Sequence, residues 1–167
     1  MKKIYVIFFV LILFISACAT TKAPPKTQLQ IREFQTRTYE TNDVKMVMKA
    51  MLNVLQDDGF IVKNANIELG LFNATKELDI TNKWEVFGAV MTTSKYQTPR
   101  WAKQRVIEVT ANISEFGKQC RVRINFQTKD MDNLGGVRQV GEIKDEKFYQ
   151  DFFSKVDKAI FLQKEKL

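Results

Sequence analysis

The chain has 167 residues, of which 45% are apolar, and it carries a formal net charge of +7 with no histidine. That length fits about one domain, and the missing imidazole excludes a His general base, Ser-His-Asp or Cys-His catalysis and any His-ligated metal. Two cysteines are too few for a structural zinc site, and seven glycines with three prolines do not make a low-complexity chain.

Met1-Lys2-Lys3 is a short cationic start, and Ile4 to Ile15 then run apolar (IYVIFFVLILFI) up to the small residues Ser16-Ala17. A basic start, an apolar run of about a dozen residues and a small-residue cleavage zone predict a signal peptide over residues 1–17. The run is too short for an ordinary spanning helix, which needs about 20 residues. Residues 18–30 are small and polar and hold Pro24-Pro25, which predicts an extended tether. Residues 31–167 are then expected to form one domain, with an inserted segment over 79–104.

Ile31 to Tyr39 reads as a first strand from its Ile, Phe, Thr and Tyr content. Asn42-Asp43 open a helix whose apolar positions Val44, Val47, Met48, Met51, Leu52 and Leu55 form a one-face stripe, and Gly59 suits its stop. The methionines share that stripe, so they read as core filler rather than a metal box. Phe60 to Lys63 and Leu71 to Lys76 read as two short strands around a turn over Asn64 to Gly70. Arg105 to Thr128 carries the strongest β signal. Ile107, Val109, Ala111 and Ile113 alternate on one arm, and Cys120, Val122, Ile124 and Phe126 on the next. Period-2 patterning on both arms predicts an antiparallel hairpin with one buried face. Cys120 falls on the apolar side and reads as a buried structural thiol with no disulfide partner. After a turn over Asp132 to Gly136, Val137 to Ile143 reads as another strand. A final helix from Asp145 places Phe148, Phe152, Val156, Ala159 and Ile160 on one face, widened by Tyr149 and Phe153. The predicted class is α+β, an antiparallel sheet with two amphipathic helices packed on one face, a helix-grip-like arrangement.

Ile15-Ser16-Ala17-Cys18 resembles the lipobox of bacterial lipoproteins. That resemblance implies cleavage before Cys18, a diacylglyceryl thioether on its sulfur and usually an acylated amine (palmitate), hence a membrane anchor. In such lipoproteins an Asp after the cysteine favours the inner membrane. Ala19 therefore implies the outer membrane, with the protein on its periplasmic face. Two further stretches carry a second resemblance. They are the helix-into-hairpin from Val47-Met48 through Leu55-Gln56-Asp57-Asp58-Gly59-Phe60 to Leu69-Gly70-Leu71, and the ending Phe148-Tyr149-Gln150-Asp151-Phe152-Phe153 through Phe161-Leu162. Together with the lipobox they resemble the BamC-type accessory lipoproteins of the outer-membrane β-barrel assembly machinery, over roughly residues 33–162. The resemblance implies a helix-grip domain and no catalysis.

Segment 79–104 is long for a plain connection. It holds both tryptophans, and Trp84, Phe87 and Met91 have the spacing of one helical face. Either it docks on a partner or membrane surface, or its apolar face caps the core. Arg121 and Arg123 are the sharpest basic candidates, on the outward face of their strand. The expected contact surface is therefore Trp84, Phe87, Met91, Trp101, Arg121 and Arg123. An exported, tethered protein seldom meets nucleic acid, so the basic balance suits anionic headgroups, an acidic partner or a solvated face. Asp130-Met131-Asp132-Asn133-Leu134-Gly135 starts like an EF-hand loop, but Leu134 occupies a ligand position and Gly141 stands where the bidentate Glu belongs, so it reads as a turn. Asn73-Ala74-Thr75 and Asn112-Ile113-Ser114 match the glycosylation triplet, yet both lie in predicted strands. No nucleophile–base pair, metal set or cofactor motif is evident. The expected function is a non-enzymatic accessory or adaptor subunit of an envelope complex, with an envelope protein as partner. The alternative is a lipid- or small-ligand-binding module with a cavity between helix and sheet.

Overall fold

The computed structural model describes residues 26–165. The signal segment, Cys18 and the tether up to residue 25 lie outside the described residues. Thr27 caps the first helix. Its hydroxyl accepts the Gln30 N–H at 3.3 Å while Gln30 Oε1 accepts the Thr27 N–H at 2.8 Å, a reciprocal capping box. Helix α1 (Gln28–Phe34) follows, and only then strand β1 (Thr36–Tyr39). Two expectations are corrected here. The tether over 18–30 gives way to helix by Gln28, and the strand expected over Ile31 to Tyr39 is helical up to Phe34. Ile and Phe favour strands, but Ile31 is buried and Phe34 packs on Tyr149 with ring centroids 5.1 Å apart. The cap and this packing outweigh local β preference.

Helix α2 (Val44–Asp57) starts where Asp43 accepts the Met46 N–H at 2.8 Å, and it buries Val47, Met48, Ala50, Met51, Val54 and Leu55. The chain continues through β2 (Ile61–Asn66), β3 (Leu71–Asp79), α3 (Lys83–Thr92), β4 (Ala102–Phe116), β5 (Gln119–Asp132), β6 (Val137–Glu142) and α4 (Glu146–Lys164). Strand β2 runs past the expected turn at Asn64, because Asn64, Ala65 and Asn66 still pair with Asn73, Phe72 and Leu71. The turn shortens to Ile67–Gly70. Gly70 has φ 63°, and a Cβ there would lie 1.9 Å from the Ile113 carbonyl oxygen. Both the backbone angle and the close approach require glycine.

All strand pairs are antiparallel, in the order β1-β5-β4-β3-β2, with β6 beside β5 along the same edge as β1. Helices α2 and α4 pack on one face, so the architecture is α+β. Phe72, Ala74, Val109, Ala111, Ile113, Val122, Ile124 and Phe126 point towards the helices, which answer with Tyr149, Phe152, Phe153, Val156 and Ile160. Cys120 lies in this core as a free thiol, and burial pushes its pKa up. Phe126 is the hub, with the rings of Phe148, Phe152 and Tyr149 at 4.9, 5.4 and 5.5 Å. The opposite sheet face is polar and bears Asn73, Thr110, Arg121 and Arg123, as an antiparallel sheet open to water on one side should. The two glycosylation-type triplets lie in β3 and β4.

Strands β1 and β6 do not meet along β5. The Ile124 N–H reaches the Gln35 carbonyl at 3.0 Å, and the Phe126 carbonyl accepts the Ile143 N–H at 2.9 Å. Between them the Phe126 N–H faces no strand. The Tyr149 hydroxyl, brought in from α4, accepts it at 3.2 Å. The buried Gln35 amide donates to the same hydroxyl at 3.3 Å and to Glu142 Oε1 of β6 at 2.7 Å. A Tyr–Gln–Glu network thus closes the edge where a strand is missing, as buried backbone donors require.

Candidate functional site

Asn82 caps α3 by accepting the Trp84 N–H at 2.9 Å. At 100° per residue, Trp84, Met91, Phe87, Lys83 and Val90 fall within an arc of about 120°. Glu85 lies on the other side. It accepts the Ala102 N–H at 3.0 Å and the Arg138 guanidinium at 2.5 Å, so α3 is fastened to the starts of β4 and β6. Arg138, then the Ala102 N–H, hold the Glu85 carboxyl below the usual carboxylate range. That attachment turns the apolar stripe outward. Trp84 is 82% exposed and Met91 69%, with Phe87, Val90 and Tyr96 also exposed, and α3 has no buried residue. Of the two readings of the segment, capping the core does not occur.

The six expected contact residues divide into separate groups. Trp84, Phe87 and Met91 share the α3 stripe. Trp101 is half-buried, and its backbone exchanges hydrogen bonds with Asn133, whose Oδ1 accepts the Trp101 N–H at 3.1 Å, so it belongs to the frame under α3. Arg121 and Arg123 lie near the other end of β5, Arg121 over the Phe116 ring at 4.3 Å. Nine residue steps along β5 separate Arg123 from Asp132, about 30 Å at roughly 3.3 Å each. The six expected residues therefore fall at two ends of the sheet, the aromatic ones at one and Arg121 and Arg123 at the other, not in one patch.

Asp132 is committed to the turn that follows it. Its carboxylate accepts the N–H groups of Gly136 at 2.7 Å and Leu134 at 2.9 Å, and the Arg100 guanidinium at 3.1 Å. Those backbone donors, that of Gly136 foremost, pull its pKa down. The resemblance to an EF-hand start resolves into a turn, and no acidic or cysteine cluster able to hold a metal occurs among the described residues.

A cleft of about 220 Å³ opens between α4 and the sheet, with Phe60, Phe126, Phe148 and Phe152 as its floor. At its mouth Asp58 is already engaged. Lys76 Nζ donates to its carbonyl and Lys155 Nζ to its Oδ1, each at 2.5 Å. The volume falls below the 300–1,000 Å³ or so of typical small-molecule sites.

Sequence reasoning did not find the Glu85–Arg138 tie or the Tyr149–Gln35–Glu142 network. Both join residues more than fifty positions apart, and no local spacing signals them.

No protein-family model matches the chain, and no curated protein matches it. Among solved structures the chain is similar to a DUF4468 family protein from Bacteroides ovatus, at 9% identity and a TM-score of 0.42, over 84% of this chain and 91% of that one.

Proposed function

We propose that the protein is a non-catalytic lipoprotein, anchored through Cys18 at the periplasmic face of the outer membrane, that serves as an accessory subunit of an envelope complex. The observation that carries this reading is α3. A ten-residue helix is marginal alone in water. This one buries none of its residues, yet it is capped and fastened so that Trp84, Phe87 and Met91 face outward. Burying a large apolar side chain is worth about 1.5–3 kcal/mol, which the isolated fold forgoes at each of these positions. A surface that covers the stripe recovers it. The lipobox-like sequence supplies the anchor, and the basic end of the sheet supplies a second contact for a partner of opposite charge.

Crosslinking in intact envelopes tests the reading. Partners captured by the parent chain should be lost with Arg121→Glu/Arg123→Glu, with Trp84→Ala/Phe87→Ala, or with both. An identical partner set from all three chains rejects both surfaces. A second reading, a small-ligand module, would seat only a fragment-sized ligand, in the aromatic-floored cleft at Phe148. Native mass spectrometry decides it: a ligand that survives purification and disappears in Phe148→Ala supports the module, and an apo mass for the parent removes it.

A further inference from the structure

The anchored reading leaves open what covers α3, and the place where the chain enters the fold bears on this. Eight residue steps lead from Cys18 to Lys26, about 26 Å when fully extended. Lys26 Nζ pairs with Glu146 Oε2 at 2.7 Å, at the start of α4. Glu146 follows β6 closely, and the far end of β6 holds Arg138, which grips Glu85 of α3. Eight residue steps, about 26 Å of chain when fully extended, separate Arg138 from Glu146. The point of attachment and the aromatic helix are therefore linked along the β5 edge that β6 and β1 share, and it is the chemistry of the two ends that separates them.

The chemistry of the α3 end suits that bilayer. Trp84 and Tyr96 are 82% and 93% exposed, the amphipathic aromatics that settle at headgroup level. Lys83 flanks the stripe and Lys95 lies just beyond the helix. Both are exposed, and neither takes part in an ion pair among the described residues. Glu85, the lone acidic residue of α3, is neutralised by Arg138 on the inward side. A short tether gives an effective concentration in the millimolar range, so even a weak surface affinity suffices.

We propose that α3 beds on the anionic leaflet to which Cys18 is anchored, stripe down, with the Arg121–Arg123 end about 30 Å from it along β5. This rests on the lipidated reading above. In a Trp101→Phe background Trp84 is the remaining tryptophan. The lipidated full chain, its acylation verified by intact mass, is reconstituted into phosphatidylethanolamine–phosphatidylglycerol vesicles with brominated acyl chains. Trp84 should be quenched there, and released in phosphatidylcholine vesicles or in salt near 1 M, where the screening length is about 3 Å. Each cation near an anionic surface is worth about fivefold in binding, so Lys83→Gln/Lys95→Gln should lower the docked-to-undocked ratio by roughly 25-fold. A lipidated chain that floats with the vesicles while Trp84 stays unquenched overturns the proposal and leaves the anchor standing. A photo-crosslinker at position 87 that captures an envelope protein instead of lipid does the same. An unacylated chain that does not float refutes anchor and bedding together.

Discussion

Tyr149→Phe removes one oxygen and leaves the ring in place between Phe34 and Phe126, at centroid distances of 5.1 and 5.5 Å. The Phe126 N–H then faces the gap between β1 and β6 with no acceptor. Gln35 keeps its bond to Glu142 at 2.7 Å, so one buried donor is orphaned rather than two. An orphaned buried donor costs about 1–3 kcal/mol. The bonds lost are long, 3.2 and 3.3 Å, so the lower half of that range applies, about 1–2 kcal/mol. For a domain of this size that is a fall in Tm of about 3–7 °C. In urea the midpoint should drop by roughly 0.5–1 M with an unchanged slope near 2 kcal/mol per M. Hydrogen exchange localises the effect: the Phe126 amide should lose protection while the amides of Val109 and Ala111 keep theirs. An unaltered midpoint together with a still-protected Phe126 amide would refute the claim that the Tyr149 hydroxyl stands in for a missing strand.

Gly70→Ala and Gly117→Ala form a matched pair, since both sites have φ near 65° but a Cβ at Gly117 meets nothing within 4 Å. The second should cost only the left-handed backbone strain, about 1–2 kcal/mol, and the first should exceed it by at least roughly as much again, measured by urea denaturation. Equal losses would mean that the close approach to Ile113 is relieved freely. The fastening of α3 should depend on pH. The Glu85 carboxyl lies below its ordinary 4.5 in the folded chain, chiefly through Arg138. A lowered folded pKa means that the tie is fully present above about pH 4.5 and is lost as pH falls through the folded value. Exchange of the Ala102 amide should accelerate in that window, and Glu85→Gln should show the faster exchange already at neutral pH. Asp132→Ala should release the Leu134 and Gly136 amides to fast exchange while Phe126 remains protected, because the carboxylate serves the turn and not the core.

Much of the frame was legible in the chain, because periodicity reports burial. The stripe from Val44 to Leu55 and the alternation from Ile107 to Phe126 each identify one face, and those faces meet in the core. Local preference misled at Ile31 to Phe34, where strand-forming residues sit in a helix fixed by a cap at Thr27 and by packing on Tyr149. Strand ends were underestimated where side chains are polar and exposed, as at Asn64–Asn66 and Glu77–Asp79, since backbone pairing continues without an apolar signal. The spacing of Trp84, Phe87 and Met91 gave the helix but not its direction. Glu85 sets the direction through a bond to Arg138, a contact made only once β6 is in place. Arg121 and Arg123 face outward as the alternation along β5 implies, but their distance from α3 follows from the length of β5, which no local pattern conveys.

Membrane placement and the proposed role both hang on the sulfur of Cys18. Mass spectrometry of the N-terminal peptide from protein expressed in a lipoprotein-processing host tests it directly. A lipobox at Ile15–Cys18 should yield a chain beginning at Cys18 with a diacylglyceryl thioether, and Cys18→Ser should lose both cleavage and lipid. A parent chain that begins elsewhere, or a bare Cys18 thiol, would contradict it.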